Sequence, residues 1–396
     1  MDIAIVGAGI VGLCAGLLLG RAGYNVSIID PLITVPTLPE ATDLKTYALT
    51  PASMRMFKRL NVVAELEKPR ICEFHGMQVW DARSQGAIEF SAMALGRDCL
   101  GTIVEHSNLV RALHLAIGQC EQIRQVSDRV IDIEFTERMN ILNLERGAYV
   151  HADLVLGCDG ANSPVRDLLG VDTERVEYLQ HALVCNVQVE HPHLKIARQR
   201  FLPNGPLAFL PLADKNSCAV VWSTSPQEAH LAHGAPTESF EAMLANAFDH
   251  RLGDIRLVSD RMVVPLQKLH SASYVVNRAI LLGDAAHVVH PLAGQGLNLG
   301  LMDAAALAQC LGVCEELTLR FPRLALRRFE RMRRGENLAM LNFTDQINKF
   351  FRREQRIVQA VRGAGMCTFD RLIPLKHWTM LRAMGDYGDV PNIASR

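Results

Sequence analysis

A chain of 396 residues, 49% of them hydrophobic, can bury a substantial core in two or three domains or one composite one. Its 41 Lys and Arg against 42 Asp and Glu leave a formal charge of -1, so no electrostatic bias points to a nucleic-acid partner. Ten cysteines with no C-x-x-C pair and no regular spacing match neither a disulfide framework nor a zinc module, and a reducing cytoplasm is the simplest compartment.

The chain opens on MDIAIVGAGIVGLCAGLLLGRAGYNV, which lacks a basic leader region and is interrupted by Gly7, Gly9 and Gly12 before reaching the length of a membrane span. No other stretch qualifies as a span, so the expectation is a protein that is soluble or at most peripheral to a membrane. The run IAIVG reads as a buried parallel strand. Gly7-Ala8-Gly9-Ile10-Val11-Gly12 follows, then a small and apolar helix, then a second strand, NVSIID, ending on Asp30. One glycine permits the tight turn, another lets backbone N–H groups approach a pyrophosphate, and the third lets helix and strand pack closely. Asp30 is placed to accept hydrogen bonds from a ribose hydroxyl. This unit binds a dinucleotide, and by itself leaves FAD and a nicotinamide both open.

Residues 152–170, ADLVLGCDGANSPVRDLLG, predict another apolar strand, the turn Asp159-Gly160, and a helix with Pro164 near its first turn. The stretch GDAAHVVHPLAGQGLN, residues 283–298, repeats that plan with Gly283-Asp284, a loop, and a helix starting near Gly296. Leu299, Met302, Ala306, Leu307, Cys310 and Leu311 recur at helical spacing and are expected in the core. The helix start at Gly294-Gln295-Gly296-Leu297-Asn298 presents unpaired N–H groups and the positive end of a dipole, which suits a ligand with negative charge. His287-x-x-His290 has no further acid or cysteine at a convincing spacing, so no metal site is expected. The basic segments at 320–340 and 350–356 read as a solvated helix face.

The N-terminal fingerprint, GMQVWDARSQGAIEF, GTIVEHSNLVRAL, the Asp159-Gly160 turn, RFLPNGPLAFLPL, VVW, the long GDAAHVVHPLAGQGLNLGLMDAAAL signature and PLK run nearly end to end. In these motifs the chain resembles the FAD-dependent aromatic hydroxylases of group A, and more narrowly the ubiquinone-biosynthesis hydroxylases. The resemblance implies an α/β fold similar to p-hydroxybenzoate hydroxylase: a discontinuous Rossmann-like FAD-binding domain at 1–75, 100–180 and 262–335, an inserted mixed β-sheet substrate domain at 76–99 and 181–261, and a C-terminal helical segment at 336–396. It implies that Gly7, Gly9, Gly12 and Asp30 hold the ADP half of FAD, that Asp159 lines the cofactor groove and that Asp284 contacts the ribityl or pyrophosphate region. Pro291 then lies beside the isoalloxazine, and the backbone of Gly294, Gln295, Gly296, Leu297 and Asn298 against its pyrimidine edge. Two positions depart from the family: Lys45 replaces an arginine near the flavin, and His106 replaces an asparagine.

The resemblance further implies a monooxygenase in which reduced FAD reacts with dioxygen, and a C4a-hydroperoxide transfers one oxygen atom to an electron-rich ring. No side chain is then needed as acid or base. The implied substrate is a polyprenylated phenol or benzoquinol of ubiquinone biosynthesis, in a pocket expected to include Phe209, Leu210 and Trp222. Electrons come from NAD(P)H or a partner reductase, since no second glycine fingerprint appears. Other ubiquinone-biosynthesis proteins and a peripheral membrane contact through the basic C-terminal segment are the expected partners. The competing readings are a same-fold flavoenzyme acting on a different aromatic compound and a non-catalytic flavin-binding component of a biosynthetic complex. Trp80, Trp222 and Trp378 form no W-x-W pair, which argues against a tryptophan halogenase.

Overall fold

The computed structural model describes residues 1–136, 138–312 and 322–396. The apolar run Asp2–Val6 forms the centre of a six-stranded sheet, flanked in parallel by Asn25–Asp30 and Leu154–Gly157. Ile123–Ser127 and Ala279–Leu281 extend it in parallel on either side, and the two-residue strand Val275–Val276 closes one edge antiparallel. Strands buried on both faces explain the absence of alternation in IAIV and LVLG. The helix Ile10–Arg21 is apolar nearly all round because it is covered by the sheet on one side and by the helices His106–Gly118 and Gly296–Gly312 on others.

A larger mixed sheet forms a second layer. Its order is His287–Val288, Met262–Ser271, Thr173–Val189, Ser217–Thr224, Gly205–Pro211, Ile196–Leu202, Gly76–Asp81 and Ala87–Ser91, with Ile255–Leu257 also pairing on Thr173–Val189. The strand Thr173–Val189 runs through position 180, where the sequence suggested a boundary, and Met262–Ser271 pairs along both of its halves. A bulge between Glu177 and His181, with Leu179 at φ 50°, bends the strand there. Its first half thereby reaches the histidine loop, while its second half joins the broad sheet. The outer face of that sheet is covered by Pro226–Gly234 and Thr237–Ala247, with Phe240, Leu244 and Phe248 in the shared core. Its inner face meets a small antiparallel sheet of Thr46–Leu49, Gly101–Glu105 and Ile71–Phe74.

Three helices, Arg323–Arg352, Arg356–Arg371 and Ile373–Ala383, form the tail. The solvated Arg-rich face expected of it is only partly observed. Arg333 and Arg362 are each 2% exposed. Arg333 pairs with Asp303 at 2.8 Å and Arg362 with Asp81 at 2.8 Å, because a buried guanidinium persists only against a carboxylate. These two arginines pin the tail to the helix Gly296–Gly312 and to the larger sheet. Arg320 and Phe321, which begin the basic stretch, lie outside the described residues. No helix among the described residues is long and apolar enough to cross a membrane.

Candidate active site

The nucleotide end is built by removing side chains. Gly7 has φ 108°, and a Cβ there would meet the Cys158 carbonyl oxygen at 2.4 Å. A Cβ on Gly12 would meet the Gly7 carbonyl oxygen at 2.0 Å, so helix and turn touch backbone to backbone. Gly9 differs: it caps the helix with no side-chain hydrogen bond, and a Cβ there would meet nothing within 4 Å. Its open side faces a cavity of about 470 Å³ also lined by Asp30, Arg129, Asp159 and Gly160. Asp30 accepts from the Ala8 N–H at 2.8 Å and from the Leu32 N–H at 2.8 Å, so it shapes the turn as well as bordering the groove. Asp159 accepts from the Ser163 hydroxyl at 2.5 Å and the Val165 N–H at 2.9 Å. Burial pushes its carboxyl up, against the pull of those bonds. Unpaired N–H groups at a helix start, beside a groove that glycine keeps clear, fit a dinucleotide's pyrophosphate. Arg129, a cation on the same wall, was not legible in the sequence, because it enters from a turn with no motif of its own.

At the other end, Lys45, Tyr47, His106 and Asp284 face one another. The Lys45 ammonium lies 5.6 Å from the centroid of the Tyr47 ring, and the Tyr47 hydroxyl is 3.2 Å from His106 Nδ1. The His106 N–H donates to the Lys45 carbonyl at 3.0 Å. Asp284 is open to the groove yet walled by protein; that enclosure pushes its carboxyl up, while His287 and Lys45 pull it back. Burial and then Lys45 push His106 down. The two positions at which the sequence reading expected a departure from the family thus meet across one tyrosine that it missed. The available signal was period 2, since Lys45 and Tyr47 share a side in an extended segment.

The histidine loop directs its polar atoms backwards. His287 Nε2 lies 2.6 Å from Asp303 Oδ2, both side chains fully buried. The other Asp303 oxygen accepts from Arg333 at 2.8 Å and Asn337 at 3.0 Å. Burial alone would raise the Asp303 carboxyl, but His287, Arg333 and Asn337 outweigh it and hold it below the usual range. His290 Nδ1 accepts from the Leu292 N–H at 3.2 Å, capping the turn Pro291–Ala293, and its Nε2 is 3.4 Å from Gln180 Oε1. Burial pushes His290 down to about 4, so near neutrality the ring is uncharged, with its proton on Nε2. Among the described residues no group of three or more His, Cys, Asp or Glu is arranged to hold a metal.

The following helix start is shaped the same way. Asn298 donates to the Ala48 carbonyl at 2.8 Å and the Gly294 carbonyl at 3.1 Å, and accepts from the Thr50 N–H at 2.9 Å and the Ser53 hydroxyl at 2.8 Å. Its side chain is therefore fully used within the protein. Gln295 is turned to the tail, donating to the Ala383 carbonyl at 3.3 Å, and Leu297 packs against the main core. Gly294, at φ 60°, is exposed and would bring a Cβ to 3.4 Å from Ala48. Half-buried Pro291 opens the turn. What this segment offers a ligand is backbone.

Phe209 and Trp222 do not belong to the inner face where the pocket was expected. Phe209 stacks on Phe248 at 3.9 Å, and both residues sit in the core under the outer helices. Strand alternation gives the reason: residues one apart point to opposite faces, so Leu210 turns inward to Ala48 and Phe74. Val184, Val221, Ala208, Gln199 and Val79 are direct neighbours across five strands on that inner face. Val184, Val221 and Ala208 are half-exposed, although the sheet around them is buried. They form an uncharged apolar shelf whose signal in the sequence was the alternation of these strands.

Comparison with known proteins identifies this geometry. Residues 1–318 match the FAD binding domain family. The chain is 31% identical over 389 residues to 3-demethoxyubiquinol 3-hydroxylase of Escherichia coli, covering 97% of this chain and 98% of that protein. The chain belongs to the ubiquinone hydroxylase family of FAD-dependent aromatic monooxygenases. Ubiquinone hydroxylase UbiL of Rhodospirillum rubrum is 32% identical, with 97% of this monooxygenase and 89% of that protein covered. In fold the monooxygenase is similar to p-nitrophenol 4-monooxygenase PnpA of Pseudomonas putida, with TM-score 0.76 at 19% identity over 96% of this chain and 97% of that one.

Proposed function

We propose that this monooxygenase hydroxylates the aromatic ring of a polyprenylated phenol or benzoquinol in ubiquinone biosynthesis. The observation that carries the reading is the uncharged shelf of Val184, Ala208 and Val221, on the sheet face that meets the histidine loop where Val79 and Leu292 share one apolar cluster. Likeness over nearly the whole chain to named ubiquinone hydroxylases supports the same reading.

Bound FAD, once reduced by NAD(P)H or a partner reductase, supplies with dioxygen the oxygen atom that is transferred. The chain's own groups bind, orient and exclude water. Gly7, Gly9, Gly12 and Asp30 receive the ADP half, Asp159 lines the groove, and Asp284 takes the ribityl or pyrophosphate region. Pro291 and the backbone from Gly294 to Asn298 shape the flavin's ring end, with Lys45 and His106 at its margin. Leu210 and the shelf hold the substrate ring against that end, while the small sheet keeps water out. In this reading the FAD-binding part is discontinuous, with the substrate sheet inserted.

The test is to express the chain in bacterial strains that each lack one ubiquinone hydroxylase, and to read extracted quinones by mass spectrometry. Restored quinone in one strain gives the substrate class and ring position together. If no strain is restored while flavin-loaded protein is present, the prenylated substrate is wrong and another aromatic compound takes its place.

A further inference from the structure

The tail bears apolar side chains that none of the described residues covers. From Lys349 to Arg382 it carries eight Lys or Arg and two Asp or Glu, within a chain of formal charge -1. Helix Arg356–Arg371 divides sharply by face: Arg362, Gly363 and Met366 are buried, whereas Ile357, Ala360, Val361 and Ala364 are exposed at i, i+3, i+4 and i+7. Ile357 is 80% exposed and Val361 59%. Arg356 and Arg371 stand at the two ends of this face, and no acid is exposed on it. The helix's one acid, Asp370, is engaged by Lys376 at 2.8 Å and by the Glu89 N–H at 3.0 Å. The surface continues on either side, with Phe350, Arg352, Arg353 and an exposed Glu354 that pairs with Arg83 at 3.0 Å before the helix, and exposed Leu372, Ile373 and Leu375 after it.

The geometry points to this face as a docking surface for an anionic phospholipid bilayer, with Ile357 and Val361 entering the headgroup boundary and the flanking arginines meeting lipid phosphates. A merely solvated face would mix acids with bases and would not present β-branched side chains along a helical stripe. A second copy of the chain matches less well, because a two-fold interface sets the same patch against itself and would oppose arginine to arginine. The position is also apt. Phe351 stacks on Phe201 at 3.7 Å, in one apolar cluster with Leu292 of the histidine loop and Met366 of the same tail helix. Asn348 bonds Gln180 at 2.8 Å, the residue that also faces His290. Lipid on this face lies one helix layer from the loop beside the shelf. The inference rests on the surface alone and holds or fails whatever ring is hydroxylated.

The experiment is flotation of the FAD-loaded full chain with vesicles of phosphatidylcholine alone or mixed with phosphatidylglycerol. Recovery is expected to be about tenfold higher with the anionic vesicles at low salt and to fall toward background at high salt. The double substitution Ile357→Asp and Val361→Asp, both at exposed positions, should abolish flotation while the flavin spectrum is retained. Absence of flotation with anionic vesicles overturns the inference, as does equal flotation of the double variant. A concentration-dependent dimer in light scattering that the same double variant dissolves would assign the face to a second copy and overturn it too.

Discussion

The glycine turn at residues 7–12 and the histidine loop at 287–298 both present backbone to a ligand, and they reach that end by opposite means. The turn does so by lacking side chains: Gly7 and Gly12 admit no Cβ, and Gly9 is left open. The loop is dense with polar side chains, yet His287 Nε2, His290, Gln295 and Asn298 direct their hydrogen bonds behind the surface, onto Asp303, Gln180, Leu292, Ala383 and Ala48, while the buried His287 Nδ1 has no partner among the described residues. The reactive look of the loop is therefore a property of its scaffold. A histidine beside a cofactor is a catalyst only when its free nitrogen faces the ligand, and here the partners lie on the protein side.

The largest effect that tests this contrast is expected at Gly12. Gly12→Ala places a Cβ 2.0 Å from a backbone oxygen, which cannot be relieved by a rotamer change. It should lower FAD affinity at least about a hundredfold or leave the protein insoluble, read from flavin absorbance after purification. Gly9→Ala should fold normally, because its Cβ enters open space. A large loss of FAD affinity in that folded variant, by fluorescence titration, would show the pyrophosphate lying over Gly9. Unchanged affinity would move the phosphates elsewhere along the groove.

Next in size is the anchor behind the loop. Asp303→Ala leaves the buried Arg333 guanidinium with only the half-exposed Glu336 as its carboxylate, strips His287 of its partner, and should cost about 3–5 kcal/mol in urea unfolding. Adding Arg333→Met should recover part of that loss, since the buried charge that lost its Asp303 partner is then gone. If Asp303→Ala costs under about 1 kcal/mol, the network is not what holds the loop.

Acid sensitivity sharpens the same point. Burial, the largest cause for each, holds His290 and His270 down to about 4 from an ordinary 6.5. Below about pH 6.5 the unfolded chain binds protons at both positions that the folded state does not take up until about pH 4. Stability is thus full above that window and falls as pH is lowered through it, on the order of 2 kcal/mol per histidine. Asp303, held below its usual 3.8, adds to the loss only at still lower pH. His290→Asn keeps an acceptor for the Leu292 N–H and a donor for Gln180, so the slope of denaturant midpoint against pH should fall by about half. A slope unaltered by His290→Asn would mean that His290 takes up its proton alike in the folded and the unfolded chain.

The difference between the two regions also explains what the sequence could disclose. The strand, glycine turn and second strand ending on Asp30 are local, and their spacing is enough to place the nucleotide groove. The second wall of that groove comes from the Asp159 turn, whose nearness to Gly9 was known only through the family resemblance. Phe209 and Trp222 show the opposite case: a motif located the right strand, but which face a residue takes depends on register against Ser217–Thr224 and on helices arriving later in the chain. Arg333 and Arg362 were hidden for a similar reason. An arginine in a basic helix looks solvated until the fold supplies Asp303 from the preceding helix or Asp81 from a strand of the larger sheet, 281 residues away. Tyr47 required joining two separate expectations, at Lys45 and at His106, that only contact reveals as one cluster.

That cluster yields the smallest predicted effect. Lys45 is exposed, stands over the Tyr47 ring and is one of the two groups opposing the rise of the Asp284 carboxyl. Lys45→Arg keeps the charge, and a guanidinium can occupy the same place over an aromatic ring. FAD affinity and turnover should therefore stay within about threefold of the parent chain. Lys45→Met removes the charge and lets the Asp284 carboxyl rise further, so its loss of FAD affinity should deepen as pH falls. If instead Lys45→Arg releases the flavin while Lys45→Met retains it, the position is governed by shape. The family's arginine and this chain's lysine would then belong to differently built sites, with Tyr47 and His106 filling the space that the longer side chain takes elsewhere.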